Sequence, residues 1–229
     1  MKIDYFLGIG QGKKAKQRLE NVFGSVRFHV APNYLQCKTE KDCEDIGISN
    51  VKNKLRYEIV FAESQAAPAL IRAYINGGIK KPRQIVLIQP LGLNPSSLGK
   101  SPTDQMHELL RRSMEFWRSS NQSLAISGNR WTFLHILSQT VPYLWRVRKI
   151  YKYAASQDIR EDVMRIAKET NLSIYASSFD TLFPYKEIIN ENPELSQFIH
   201  EIPGTHLNRP TPLGEDQLQR IIKLSKFTR

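Results

Sequence analysis

Short apolar segments alternate with amphipathic helical segments along most of this chain, and this alternation limits the possible folds more than any other feature. The segment RQIVLIQPLG, residues 83–92, has the apolar centre of a strand that is buried on both faces of a parallel sheet. Further strand-like segments lie at residues 2–9, 25–32, 56–63, 172–180 and 195–203, and clear helical segments lie at 13–24, 65–78 and 214–227. Residues 40–55 are only weakly helical in pattern. The alternation predicts an α/β fold with a mostly parallel sheet flanked by helices.

A helical region from Pro95 to Thr170 interrupts this alternation. Ser101, Pro102 and Asp104 predict a helix start. The apolar residues that follow fall on one helical face: Met106, Leu109, Leu110, Met114 and Trp117. An aromatic helical segment at 130–153 and a third helix at 157–171 come next, so the region is either a cap over one edge of the sheet or a set of extra core helices. The interpretation adopted divides the chain into an α/β core, residues 1–94 and 171–229, and a helical cap insertion, residues 95–170.

Length and cysteine content favour one intracellular domain. A chain of 229 residues can bury a sizeable core, and no run of 18 apolar residues predicts a membrane span. The N-terminal residues lack the pattern of a signal peptide. Cys37 and Cys43 match neither a zinc motif nor a disulfide framework, so we expect a cytoplasmic protein. The histidines show no ligand spacing, and we expect neither a metal nor a cofactor.

The formal net charge of +11 raises the question of an anionic partner. A basic excess is typical of proteins that bind nucleic acid, anionic lipid or an acidic substrate. It is also found where the charge only solvates the surface and no anionic partner exists. The charge is spread widely, without a block of five consecutive basic residues. We expect a small-molecule ester or acyl substrate and no nucleic acid, and we leave open whether the substrate is anionic. The oligomeric state is left open.

Ser64 lies where a strand-like run changes into a helical one, in the segment VFAESQAAPAL. A sharp turn there strains the serine backbone and requires small neighbours, as in the G-x-S-x-G motif; here Ala62 and Ala66 take the glycine positions. A serine nucleophile also needs a base and an orienting carboxylate. Asp180 follows one late strand and His206 follows the next, so all three groups are predicted at the carboxyl edge of the sheet.

In these segments the sequence resembles the α/β-hydrolase family, over nearly all of the chain, with ASSFDTLFP as the acid loop and IPGTHLNRP as the histidine loop. The resemblance implies a minimal sheet of about six strands that begins at the family's third strand. It further implies Ser64 as nucleophile, His206 as general base and then acid, and Asp180 as its orienter. The oxyanion hole would use the backbone N–H of Gln65 and a donor in the loop GIGQG, from Ile9 to Gln11.

These observations predict a serine hydrolase that cleaves a carboxylic ester or thioester through an acyl-enzyme. Two alternatives are a hydrolase-like protein that binds a ligand without catalysis and a basic module that binds a polyanion. Taken singly, Asp180 is also compatible with a helix N-cap and His206 with a turn residue. Glu63 is expected to have only packing or solvent contact. A nucleotide-binding loop at residues 7–14 is disfavoured, because Leu7 and Lys14 occupy positions that a P-loop reserves for glycine and for serine or threonine.

Overall fold

A computed structural model describes residues 2–8, 13–126, 144–203 and 212–225 of the chain. The described strands are β1 (Ile3–Phe6), β2 (Val26–His29), β3 (Ile59–Glu63), β4 (Gln84–Ile88), β5 (Asn171–Ala176) and β6 (Ile199–Glu201). The described helices are α1 (Lys13–Val22), α2 (Glu40–Lys54), α3 (Ala66–Ile75), α4 (Pro95–Leu98), α5 (Pro102–Ile126), α6 (Leu144–Ala155), α7 (Arg160–Ala167), α8 (Tyr185–Glu191) and α9 (Pro212–Ser225). Two 3₁₀ helices span Tyr34–Gln36 and Pro193–Phe198.

The six strands form one sheet in the order β2-β1-β3-β4-β5-β6, and each neighbouring pair is parallel. The predicted α/β fold and strand number are therefore confirmed. The chain first runs outward from β1 to β2 and then returns to place β3 on the other side of β1. This reversal makes the carboxyl ends of β1 and β3 a topological switch point, where open α/β sheets bind their ligands.

Apolar side chains cover both faces of the sheet, as parallel strands require. One face packs against α1 and α9, through Leu19 and through Leu218, Ile221 and Ile222. The other face packs mainly against α3, α5 and α7. Its buried residues include Leu70, Ile71, Leu109, Val163 and Ile166. The strands β3 and β4 are buried at every position, which explains their β-branched and apolar composition.

Local signals fix several helix ends. Helix α2 is a complete 15-residue helix although its sequence pattern is weak, because Thr39 and Asp42 form a capping box at its start. Helix α3 tolerates Pro68 in its first turn and ends before Gly77, whose φ of 63° is a conformation that favours glycine.

The helix predicted after Ser101 is confirmed as α5, and the Asp104 N–H donates to Ser101 Oγ at 3.2 Å. Its predicted apolar face is only partly buried: Met106 and Leu109 are buried, whereas Leu110 and Met114 are 39% and 65% exposed. Residues 127–143 of the predicted cap lie outside the described residues. Among the helices in the described ranges, none is both long and apolar enough to cross a membrane.

Candidate active site

Ser64 occupies a strained turn between β3 and α3. Its φ of 50° lies in the left-handed region, which residues with a side chain rarely adopt. The Ser64 N–H donates to Ile88 O at 3.0 Å, and Ser64 O accepts from the N–H groups of Ala67 at 3.1 Å and Leu91 at 3.3 Å. The first turn of α3 and the loop after β4 therefore hold this conformation. The strained strand-to-helix turn that the sequence predicted is present, and the Ser64 side chain is half-buried.

Gly8, two residues after β1, lies close to the Ser64 turn. A Cβ atom on Gly8 would lie 3.1 Å from Ser64 Cβ and 3.4 Å from both Glu63 O and Glu63 Oε1. Only glycine fits at this distance without displacing the turn. The segments that follow β1 and β3 at the switch point thus meet at Ser64. The sequence pattern indicated the loop after β1 but not the need for glycine at position 8.

Gln65 directly follows Ser64 and precedes the first residue of α3. The first N–H groups of a helix have no acceptor within the helix and carry the positive end of its dipole, which suits a developing negative charge. The Gln65 residue is 3% exposed, and its Nε2 atom has no hydrogen-bond acceptor among the described residues. Ile9 and Gln11, the other predicted oxyanion-hole residues, lie outside the described residues.

Asp180 lies in a hydrogen-bonded loop after β5 and is 1% exposed. Its Oδ1 atom accepts from the N–H groups of Leu182 at 2.8 Å and Phe183 at 3.1 Å, and its own N–H donates to Ser177 O at 3.2 Å. The alternative role as a helix cap is met only in part, because these bonds close a turn, whereas α8 begins later, at Tyr185.

The strands place Ser64 and the Asp180 loop on the same edge of the sheet. Glu63, Ile88 and Tyr175 are aligned in register across β3, β4 and β5. Adjacent strands lie about 4.8 Å apart, so β3 and β5 are separated by roughly 10 Å, which leaves room for an imidazole ring between a hydroxyl and a carboxylate. His206 lies outside the described residues.

The chain leaves the sheet beside the Asp180 loop. Ile202, directly after β6, donates its N–H to Ala176 O at 2.8 Å, and Ser178 Oγ hydrogen bonds to Glu201. The chain up to residue 203 therefore runs next to the Asp180 loop.

Two buried polar residues near Ser64 were not assigned a role from the sequence. Glu63 is fully buried and accepts from Tyr5 Oη at 2.7 Å, so of the two expected environments, packing and solvent contact, it has packing. Gln89 is also fully buried, has a φ of 46° and donates its N–H to Tyr175 O at 2.7 Å. The sequence signal that could have identified Gln89 is its position as the polar residue directly after the apolar run of β4.

Helix α6 packs against α2 and the 3₁₀ helix Tyr34–Gln36. The Tyr153 and Tyr34 rings stack with centroids 6.3 Å apart, and Lys152 forms an ion pair with Glu40 at 2.7 Å. Burial raises the pKa of Tyr153 above its ordinary value. Cys37 and Cys43 are buried free thiols in the same cluster. Over the described ranges, no group of three or more His, Cys, Asp or Glu residues is arranged to hold a metal ion.

No protein-family model and no curated protein matches the chain, but solved structures match nearly all of it. MGS-M2, an α/β hydrolase enzyme from a Medee basin deep-sea metagenome library, is 14% identical, with a TM-score of 0.64 over 100% of this chain and 90% of its own. The esterase EaEST from Exiguobacterium antarcticum is 10% identical, with a TM-score of 0.59 over 99% and 92%. The NocB thioesterase domain, in covalent complex with a fluorophosphonate nocardicin G analogue, is 12% identical, with a TM-score of 0.53 over 96% and 94%. At these identities the likeness establishes the fold.

Proposed function

We propose that this chain, which has the α/β-hydrolase fold, is a serine hydrolase that cleaves a carboxylic ester or thioester. The observation that carries the proposal is the left-handed backbone of Ser64, φ 50°, at the carboxyl edge of the sheet. Strained backbone of this kind persists where the surrounding structure enforces it, and it clusters at active sites. A strained serine at the end of a strand and before a helix exposes its hydroxyl as a nucleophile.

In the proposed mechanism, Ser64 Oγ attacks the acyl carbon while His206 takes the hydroxyl proton. Asp180 orients the imidazole and stabilises the imidazolium. The N–H of Gln65, with a second donor between Ile9 and Gln11, stabilises the oxyanion. The imidazolium then protonates the leaving alcohol or thiol, and water hydrolyses the acyl-enzyme by the same steps.

The assignment of substrate class rests on similarity and on charge. EaEST is an esterase and the NocB domain is a thioesterase, and both share the fold. In the proposed arrangement, residues 1–94 and 171–229 form the core and residues 95–170 are a helical insertion, of which α5 and α7 pack on the sheet and another part covers the substrate. The net charge of +11 favours acyl substrates that carry negative charge. The proposed location is the cytoplasm.

A fluorophosphonate probe tests the proposal directly, because it labels only an activated serine. We expect stoichiometric labelling of the full-length protein and complete loss of labelling and ester turnover in Ser64→Ala. Ser49→Ala, at an exposed position of α2, is the matched control and should be labelled like the wild type. A folded wild-type protein that resists labelling would contradict the proposal and favour a ligand-binding protein. For an active protein, p-nitrophenyl esters of graded length would define the acyl pocket.

A further inference from the structure

Arg112 on helix α5 is 8% exposed and uses every N–H group of its guanidinium. Its Nε donates to Glu108 Oε1 at 2.8 Å, and its Nη1 donates to Glu187 Oε2 at 2.7 Å and to Leu182 O at 3.3 Å. Its Nη2 donates to Glu187 Oε1 at 3.2 Å and to Ser97 O at 3.2 Å. One side chain therefore joins α5 to α8, to the end of α4 and to the loop that carries Asp180.

The contact with that loop reaches Asp180 through a single peptide group. The carbonyl of Leu182, which accepts from Arg112, belongs to the same peptide unit as the N–H of Phe183, which donates to Asp180 Oδ1 at 3.1 Å. A cation on the carbonyl side polarises the peptide and strengthens the hydrogen bond on its N–H side. The same contact fixes the plane of the peptide and hence the direction from which Asp180 is held.

Glu187 holds the guanidinium in this orientation. Burial alone would raise the pKa of Glu187, but hydrogen bonds from Arg112 and Ser97 outweigh it and keep the pKa below its ordinary value. Glu187 therefore remains ionised at neutral pH and pairs with Arg112 in a bidentate geometry that lysine cannot reproduce.

We propose that Arg112 is a positioning residue that orients the Asp180 carboxylate from helix α5, so that the region inserted between β4 and β5 takes part in building the active site. This inference rests on the proposed role of Asp180. The competing explanation is that Arg112 only fastens α5 to α8. The two differ in whether the effect of Arg112 on the reaction passes through Asp180.

The test is the rate constant of Ser64 labelling by the fluorophosphonate, measured for Arg112→Lys in the wild-type and Asp180→Asn backgrounds. Lysine keeps the charge but loses the fork that reaches Leu182 and Glu187 together. We expect a decrease of about tenfold to a hundredfold in the wild-type background, since small displacements of a catalytic group have effects of this size. In the Asp180→Asn background we expect Arg112→Lys to lower the labelling rate by less than about twofold further. The effects of two residues that act through the same group are not additive. An equal decrease in both backgrounds would overturn the inference, as would no decrease in either.

Arg111→Lys is the matched control. Arg111 is the neighbouring residue on the same helix and also pairs with Glu108, but it is exposed and forms its ion pairs with Glu108 and Glu115. We expect its labelling rate to stay within about twofold of the wild type, as for other exposed ion pairs.

The pH dependence of the labelling rate is a second readout. It should not change if Arg112 only joins α5 to α8. A well-placed carboxylate raises the pKa of a neighbouring imidazole. Arg112→Lys should therefore shift the acidic limb of the rate profile to lower pH, and an unshifted limb would overturn the inference.

If Arg112→Lys does not fold, Glu187→Gln weakens the hold on the guanidinium and is expected to give a smaller change of the same kind. Failure of wild-type labelling would instead refute the proposed function, which separates the two outcomes.

Discussion

Ser64 has a backbone conformation that glycine adopts freely and that a Cβ atom makes unfavourable. The strain amounts to about 1–2 kcal/mol for a residue with a side chain. The hydrogen bonds of its N–H and C=O groups hold the turn nevertheless. The proposed nucleophile position therefore lowers stability in the resting protein, as expected where a reactive group is displayed rather than packed.

Replacement of Ser64 by glycine and by alanine should separate this strain from loss of the hydroxyl. Both variants lack the nucleophile, but only glycine relieves the left-handed conformation. We expect the free energy of unfolding of Ser64→Gly to exceed that of Ser64→Ala by about 0.5–1 kcal/mol in urea titrations, after the entropy cost of glycine is included. At Ser113, inside helix α5, the order should reverse, because alanine is the better helix former. If alanine were more stable than glycine at position 64 as well as at position 113, the Ser64 turn would be unstrained in solution.

Gly8 is expected to be needed for the rate of reaction at Ser64. In Gly8→Ala the new methyl group would lie 3.1 Å from Ser64 Cβ, so one of the two strand ends must move by a few tenths of an ångström. We expect the rate of fluorophosphonate labelling to fall about tenfold. Gly24→Ala is the control, since a Cβ there meets no atom within 4 Å, and its labelling rate should be unchanged. Equal rates for the two variants would mean that β1 does not constrain the nucleophile.

At the scale of elements, Asp4 ties β1 to β2 and to the segment before β3. The carboxylate is fully buried; Oδ1 lies 2.7 Å from His29 Nε2 and accepts from Arg27 Nε at 3.1 Å. Oδ2 accepts from the N–H groups of Arg56 at 2.6 Å and Tyr57 at 2.8 Å. Burial acts to raise the pKa of Asp4, but these hydrogen bonds outweigh it and the pKa lies below its ordinary value.

Asp4→Asn should destabilise the protein by about 2–4 kcal/mol at pH 7, because an amide accepts through one oxygen and turns an N–H₂ group towards donors. Since the folded-state pKa is depressed, the contribution of the carboxylate is complete above its unfolded value of about 4 and is lost as the pH falls through the folded value. The stability difference between wild type and Asp4→Asn, measured in urea, should therefore shrink as the pH is lowered below about 4.

The exposed Asp45 on α2 provides the control for this experiment. Asp45→Asn should change stability by less than about 0.5 kcal/mol at either pH. A difference between wild type and Asp4→Asn that persists unchanged at low pH would show that packing, rather than charge, accounts for the effect.

Strands and helices with a strong local pattern of apolar residues or a clear capping residue were predictable from the sequence. The buried runs of β3 and β4 and the start of α5 at Ser101 follow from local periodicity and capping. Helix α2 was underestimated because its stability comes from the capping box of Thr39 and Asp42 and from packing, while its apolar residues show little helical periodicity. Leu110 and Met114 continue the apolar pattern of α5 without being buried, so periodicity alone overstated the buried face.

For the candidate site, the sequence order of strands predicted that Ser64 and Asp180 share one edge of the sheet, because parallel strands place their carboxyl ends together. It did not predict Gly8 or Arg112. Their proposed roles depend on approaches between segments that are distant in sequence: a Cβ atom on Gly8 would lie 3.1 Å from Ser64 Cβ, and Arg112 donates to Leu182 O. Such contacts have no local signature. His206 stays a prediction.

At the scale of the whole molecule, the net charge of +11 should affect how fast charged substrates arrive. The screening length falls from about 30 Å at 0.01 M salt to about 3 Å at 1 M, so attraction over the protein surface is removed across this range. For an anionic ester we expect kcat/KM to fall by at least about threefold over the titration, since steering acts on association rather than on chemistry. A neutral ester of the same acyl length should show no more than a slight change, and kcat should be constant for both. Parallel salt profiles for the two esters would mean that the basic charge only solvates the surface, and the proposed preference for anionic substrates would then be wrong.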